Sequence, residues 1–323
     1  MQKLWKTNQF KHMENNILGL HHITAIAGNA QQNFSFYTNV LGLRLVKKTV
    51  NFDDPGTYHL YYGDETGAAG TILTFFPWEG IGQGTEGVGM ATEIGYSVPE
   101  GSLDFWTNRF TENKVSFTVA SERFGETFIS FKDPDGLSLS LIIPQKADGR
   151  KPWETESVKK ENATRGFHST TLSLQKIDDT AKVLTDIFGY RLLGQEGNRY
   201  RFITDTVEHS AIVDLLELPD GKRGRNAAGT NHHVAFRVKN EEIQMEMREK
   251  ILSKNLQITP QIDRDYFFSL YFREPGGVLF EIATDNPGFT VDEPLNELGT
   301  HLMLPHQHAH LREDLEKILP KLG

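Results

Sequence analysis

The sequence predicts an α+β protein of four βαβββ modules that pair into two curved half-barrel sheets. Three observations carry that reading. The first is a repeat of helix ends: "FYTNVLGLRLV" (36–46) and "VLTDIFGYRLL" (183–193) each read as a last helical turn, a glycine C-cap at Gly42 or Gly189, and a strand opening on Arg-Leu. The second is a repeat of hairpins. "FKDPDGLSLSLII" (131–143) and "FREPGGVLFEIAT" (272–284) each run strand, acidic-Pro-x-Gly turn, alternating strand. The third is a strand opening used twice, in "GLHHITAIAGNA" (19–30) and "TNHHVAFRV" (230–238).

Taken in order, residues 1–17 read as a flexible N-terminal extension without a secretory pattern, with Met13 as an alternative start. Residues 18–147 form a first domain of two modules (19–77 and 90–143). A polar, charged linker follows at 148–165, then a second domain over 166–288 with modules at 166–218 and 230–284. The helices fall near 30–41, 101–112, 176–188 and 240–253. The tail, 289–323, is rich in Pro, Gly and charge and ends in a short amphipathic helix, "LREDLEKILPKL". One βαβββ module cannot close its own sheet, so two must pair around a cleft lined by their first and last strands. Alternate strand positions then face the cleft.

A chain of 323 residues is long for one core, which fits two domains. The formal charge of −9, with no basic patch apparent, argues against nucleic acid as a partner. The absence of cysteine excludes disulfides, zinc ribbons and thiol nucleophiles. No run of eighteen apolar residues suggests a membrane span, and the expected compartment is the cytoplasm.

The cleft-facing positions include His22, His168, His233 and Glu281. Two imidazoles and one carboxylate from three strands suit a divalent metal with open positions, the pattern of non-haem Fe(II) sites. A lone strand histidine is more often a core residue, and that reading is kept for His59 and His209. His21 and His232 alternate out of register and should point away from the cleft, with an outer supporting role open to them. "HLMLPHQHAH" (301–310) reads as a solvated tail. Two pairings stay open. Modules three and four would join His168, Asp214, His233 and Glu281, a glyoxalase-like set. Modules one and four would join His22, Thr74, His233 and Glu281, which leaves three ligands and an open face. Aligning the hairpins sets Glu93 against His233 and Ser140 against Glu281, so the remaining modules lack a metal set and read as a structural half, or as a homodimer contact and lid.

The stretch from "GLHHITAIAGNA" to "GTILTFFPW", with "GTNHHVAFRV", "DRDYFFSLYFREPGGVLFEIATDNPGF" and "LGTHLMLP", closely resembles the bacterial ring-cleaving dioxygenases linked to hydroquinone and catechol detoxification. These belong to the vicinal oxygen chelate superfamily, with the glyoxalases and extradiol dioxygenases. The resemblance covers nearly the whole chain after residue 17. It implies the vicinal oxygen chelate fold, Fe(II) (with Mn or Zn as alternatives) on His22, His233 and Glu281, and O2 plus a small aromatic as substrates. It also implies Tyr271 as the residue that hydrogen-bonds the substrate oxygen. Extradiol enzymes carry an acid–base histidine about nine residues before that tyrosine. Ile262 stands there in this chain, leaving Arg264, Asp265 or Tyr266 as candidates. Phe75, Phe76, Trp78, Tyr266, Phe267 and Phe268 are candidates to wall the pocket. The rivals are a lyase or isomerase of the glyoxalase type and a non-catalytic small-molecule binder.

Overall fold

The computed structural model describes residues 16–323. Four βαβββ modules are present. Module one holds β1 (Leu20–Ala27), α1 (Ala30–Ser35), β2 (Arg44–Val50), β3 (Tyr58–Gly63) and β4 (Ile72–Pro77); module two holds β5 (Met90–Ser97), α2 (Leu103–Glu112), β6 (Ser121–Arg123), β7 (Glu126–Lys132) and β8 (Ser138–Ile142). Module three holds β9 (Phe167–Leu174), α3 (Asp178–Lys182), β10 (Arg191–Glu196), β11 (Arg199–Ile203) and β12 (Ile212–Glu217). Module four holds β13 (Thr230–Val238), α4 (Glu241–Ser253), β14 (Ile262–Asp263), β15 (Phe267–Arg273) and β16 (Leu279–Pro287).

Two of the four module helices, α1 and α4, start where an asparagine side chain serves a free N–H group. Asn29 Oδ1 accepts from the Gln32 N–H at 2.8 Å, and Asn240 Oδ1 accepts from the Ile243 N–H at 3.1 Å. In modules one and three the helix relaxes into a π turn over Phe36–Val40 or Val183–Ile187 and stops at a glycine with positive φ, Gly42 (+69°) or Gly189 (+74°).

The strands form two eight-stranded sheets, in the orders β14-β15-β16-β13-β1-β4-β3-β2 and β10-β11-β12-β9-β5-β8-β7-β6. Module one therefore pairs with module four, and module two with module three, through antiparallel seams between β1 and β13 and between β5 and β9. Residues 18–147 and 166–288 each give one module to each sheet, so both sheets run across the linker. This overturns the pairing of modules three and four: His168 and Asp214 stand in a different sheet from His233 and Glu281.

Of the expected N-terminal extension, residues 1–15, with Met13, lie outside the described residues; Ile17 is buried in the core. The tail packs along β2, the outer strand of its sheet. The Met303 N–H donates to the Lys48 carbonyl at 2.9 Å, and fully buried Lys47 meets Asp292 at 2.6 Å and Glu293 at 2.5 Å. An unpaired strand edge is thereby covered. The expected terminal helix is α5 (Arg312–Ile318).

Candidate metal centre

Strand register assembles the site. In one row across the sheet His22 pairs with Ala235, Ala235 with Glu281, and Glu281 with Tyr271. In the next row His233 pairs with Thr24, Thr24 with Thr74, and Thr74 with Tyr61. His233 and Ala235 are two residues apart on β13 and share a face, so three candidate ligands meet on one concave surface. His233 Nε2 lies 2.9 Å from Glu281 Oε2, His22 Nε2 lies 3.2 Å from it, and the two Nε2 atoms are 3.4 Å apart. All three residues are buried.

The surroundings fix which atoms face inward. His22 Nδ1 is 2.8 Å from His21 Nδ1, and His233 Nδ1 is 2.8 Å from His232 Nδ1. Burial, then the neighbouring His22, hold the His21 pKa well below the usual histidine value, so its ring is neutral. A hydrogen bond to the Thr284 backbone uses its single N–H, leaving His21 Nδ1 to accept from His22. The Nε2 lone pair of His22 is then free for a cation. Burial and the His233 charge bring His232 down to about 3. His21 and His232 thus touch the inward-facing histidines instead of merely pointing away.

Ser269 Oγ donates to Glu281 Oε1 at 2.5 Å, whereas Glu281 Oε2 is buried with no hydrogen-bond partner. Burial pushes the Glu281 pKa up, but the two histidines outweigh it and hold the carboxyl well below its usual range. An anionic oxygen and two imidazole lone pairs converging within 3.4 Å repel one another unless a cation sits among them. Among the described residues, this is the group whose ligand atoms come close enough to hold a metal ion. The residues present therefore fit a divalent metal.

A cavity of about 340 Å³ opens beside these residues. Phe76, Trp78 and Phe267 wall it, together with Phe52, and the exposed Asp53 and Asp54 also line it. Phe75 is instead in the apolar core, and Tyr266 and Phe268 are not among the cavity's lining residues. Tyr271 lines the cavity 5.6 Å, ring to ring, from His233, and both Arg264 and Ser269 bond its hydroxyl. Burial, then the Glu281 charge, push its pKa up, so the phenol keeps its proton and can donate it.

Of the three residues weighed for proton transfer, Arg264 lines the cavity, 5.2 Å over the Phe52 ring. Asp265 is turned to His306 at 2.8 Å, and the Tyr266 hydroxyl donates to Asp292 at 2.9 Å. His59 was read as a core residue, yet it lines the cavity. Its Nδ1 is 2.9 Å from the Tyr61 hydroxyl and its Nε2 is 2.9 Å from Thr74 Oγ1, which in turn contacts Thr24 Oγ1 at 2.8 Å. The signal available in sequence was "YHLYY", where His59 and Tyr61 share a strand face.

The other sheet carries the same geometry with different chemistry. Its corresponding row is Ser169, Gly95, Ser140 and Ser130, so Ser169, not His168, is the counterpart of His22. His168 bonds Glu126 at 2.9 Å. Asp214 is held by Arg201 at 2.9 Å and Glu93 by Arg123 at 3.1 Å, so acids that could hold a metal are neutralised by guanidinium groups.

Comparison with known proteins agrees with this architecture. The family model described as "Glyoxalase/Bleomycin resistance protein/Dioxygenase superfamily" matches residues 19–141 and 166–282. "Putative ring-cleaving dioxygenase MhqO" of Bacillus subtilis (strain 168) is 45% identical, over 95% of this chain and 98% of that protein. The chlorohydroquinone/hydroquinone 1,2-dioxygenase of Sphingobium indicum is 35% identical, over 92% of this chain and 94% of that protein. A solved Bacillus subtilis structure, also described as a dioxygenase, superposes with a TM-score of 0.91 at 43% identity, covering 96% of this chain and 98% of that one. The chain belongs to the glyoxalase/bleomycin resistance protein/dioxygenase superfamily and, within it, to the dioxygenase enzymes that these full-length relatives represent.

Proposed function

We propose that the protein is an Fe(II)-dependent, extradiol-type ring-cleaving dioxygenase acting on hydroquinone- or catechol-like aromatics, in the detoxification of such compounds. The observation that carries this reading is the three-ligand centre with an open face beside an aromatic-walled cavity. A fourth protein ligand of the glyoxalase kind is not provided, because Thr74 occupies the place where a carboxylate would stand and is bonded to His59 and Thr24. Fe(II) bound by His22, His233 and Glu281 supplies acidification of a substrate hydroxyl and electron transfer between ring and O2.

The rest is the work of the chain. Phe76, Trp78 and Phe267 hold a flat ring and exclude water. The Tyr271 hydroxyl, oriented by Arg264, donates to the substrate oxygen as charge grows there. His59, held neutral by burial and by the charges of His22 and His233, offers with Tyr61 a relay for the proton that leaves the substrate. In the overall reaction one ring carbon–carbon bond breaks and two carbon–oxygen bonds form. O2 is reduced, the ring carbons are oxidised, and both oxygen atoms stay in an acyclic product whose new carboxylic acid ionises. No helix among the described residues is long and apolar enough to cross a membrane.

Anaerobic purification with metal analysis, then oxygen uptake against a panel of hydroquinones and catechols, tests the assignment. One iron per chain and one O2 consumed per ring are expected, and Glu281→Ala should lose the metal. Iron-loaded protein that consumes no O2 with any member of the panel would sink the reading.

A further inference from the structure

The His232–His233 pair separates two cavities of opposite character. The aromatic cavity lies on one side, with exposed Asp53 and Asp54 and the guanidinium of Arg264 in its lining. On the other side a cavity of about 360 Å³ reaches the same two histidines and Leu279, and it is bounded by Arg223, Arg273 and Asn226. Glycine makes room for the guanidinium groups. A Cβ at Gly277 would stand 3.3 Å from Arg223 Nη1, and one at Gly89 would stand 3.8 Å from it. Arg273 Nη1 donates to the Gly277 carbonyl at 2.7 Å, so both side chains converge on the tip of the β15–β16 hairpin. Among the described residues no carboxylate lines this cavity; the Glu274 carboxyl, which acts on Arg273, is buried outside it. Two guanidinium groups without an acid in their cavity, in a chain of net charge −9, make a local anion site.

We propose that this second cavity binds a carboxylate, and that the carboxylate is the one created on the ring-cleavage product, which leaves the centre on the Arg223 side. The product assignment rests on the ring-cleaving reading. The substrate is an uncharged flat ring, suited to aromatic walls and indifferent to Asp53 and Asp54. The product is an open-chain anion. Departure through the aromatic cavity meets two carboxylates and a single guanidinium, Arg264, that already faces Asp53 at 3.7 Å, whereas departure toward Arg223 and Arg273 meets two guanidinium groups and no lining carboxylate among the described residues. Arg223 and Arg273 are placed to accept the new carboxylate through charge-assisted hydrogen bonds, with Asn226 adding an amide donor.

The test is anaerobic calorimetric titration with cis,cis-muconate, a six-carbon dicarboxylate probe, and with its uncharged dimethyl ester. The full-length protein should bind muconate and not the ester. Arg223→Gln and Arg273→Gln should each weaken muconate binding about tenfold or more, and Arg223→Lys should restore most of it. Muconate should also bind Glu281→Ala protein, which separates this cavity from direct ligation of the metal. Inhibition of hydroquinone turnover by muconate should be noncompetitive in the unsubstituted enzyme. Equal muconate affinity in both glutamine variants would overturn the proposal. So would phosphate binding as tightly as muconate, or a rise in the hydroquinone KM in Arg223→Gln, which would make the cavity part of the substrate site. Muconate binding with no turnover of any aromatic would keep the carboxylate site and remove the ring-cleaving reading instead.

Discussion

Tyr271 shows how one side chain is given one task. It sits beside Glu281 in the same row of the sheet, with its hydroxyl beside Arg264 and Ser269 rather than among the converging ligand atoms. In the proposed reaction this half-buried, protonated phenol is the donor to the substrate oxygen, and preorganised donors act chiefly on the transition state. Tyr271→Phe should therefore keep its iron and lose roughly a hundredfold in kcat. Metal analysis and oxygen uptake on the same sample check this; loss of iron would make Tyr271 a support for the ligands. The family resemblance pointed to Tyr271, and the hairpin between Tyr271 and Glu281 set the two on neighbouring strands. Judging His59 needed the fold, because its partners Thr74 and Thr24 come from other strands and nothing in "YHLYY" indicates what faces it.

At the scale of elements, β2 and the tail form a clamp on the outer edge of the sheet that carries the candidate metal centre. Lys47 is fully buried, and its charge is balanced by Glu293, which is 3% exposed, and by Asp292. A buried pair adds little over an apolar substitute, but removing one partner leaves an uncompensated charge. Lys47→Ala should accordingly cost about 3–5 kcal/mol, read as a lower denaturant midpoint. Replacing Lys47 by Met together with Glu293→Gln should recover a large part of that loss. The double variant falling as far as the single one would show that the ammonium is not what Glu293 requires. The sequence reads as a solvated tail, and its histidines do stay largely outside; its docking on β2 depends on a lysine 245 residues away in sequence.

At the scale of the molecule, the centre joins the two ends of the chain. His22 comes from module one, His233 and Glu281 from module four, and the seam between β1 and β13 lies in the middle of their sheet. A metal that binds only the folded state stabilises it by about 2.7 kcal/mol at a hundred times its Kd, so chelation should lower the melting temperature. A fragment covering 160–323 keeps two of the three ligands but lacks β1, which leaves β13 as an open edge. It should bind no metal at full stoichiometry. A fragment that loads one iron would contradict the end-to-end seam.

The sequence by itself determined the modules, because helix caps, glycine stops and Asp- or Glu-Pro-x-Gly turns are local signals that need no partner. It also determined the cleft-facing alternation that brings forward His22, His168, His233 and Glu281, from which the family resemblance takes His22, His233 and Glu281. Tertiary structure decided what counting along the chain could not. His168 lies 21 residues before its glycine and His22 lies 20, and in a strand a one-residue slip turns a side chain to the opposite face. Ser169 therefore takes the position that His22 holds in the other sheet, and the second cleft fills with arginine–carboxylate pairs instead of a metal set. Nothing in "GKRGRN" sets Arg223 apart from the cations of an ordinary solvated turn. Only the approach of the Gly277 hairpin and the back of His232 and His233 gives that turn a cavity to face.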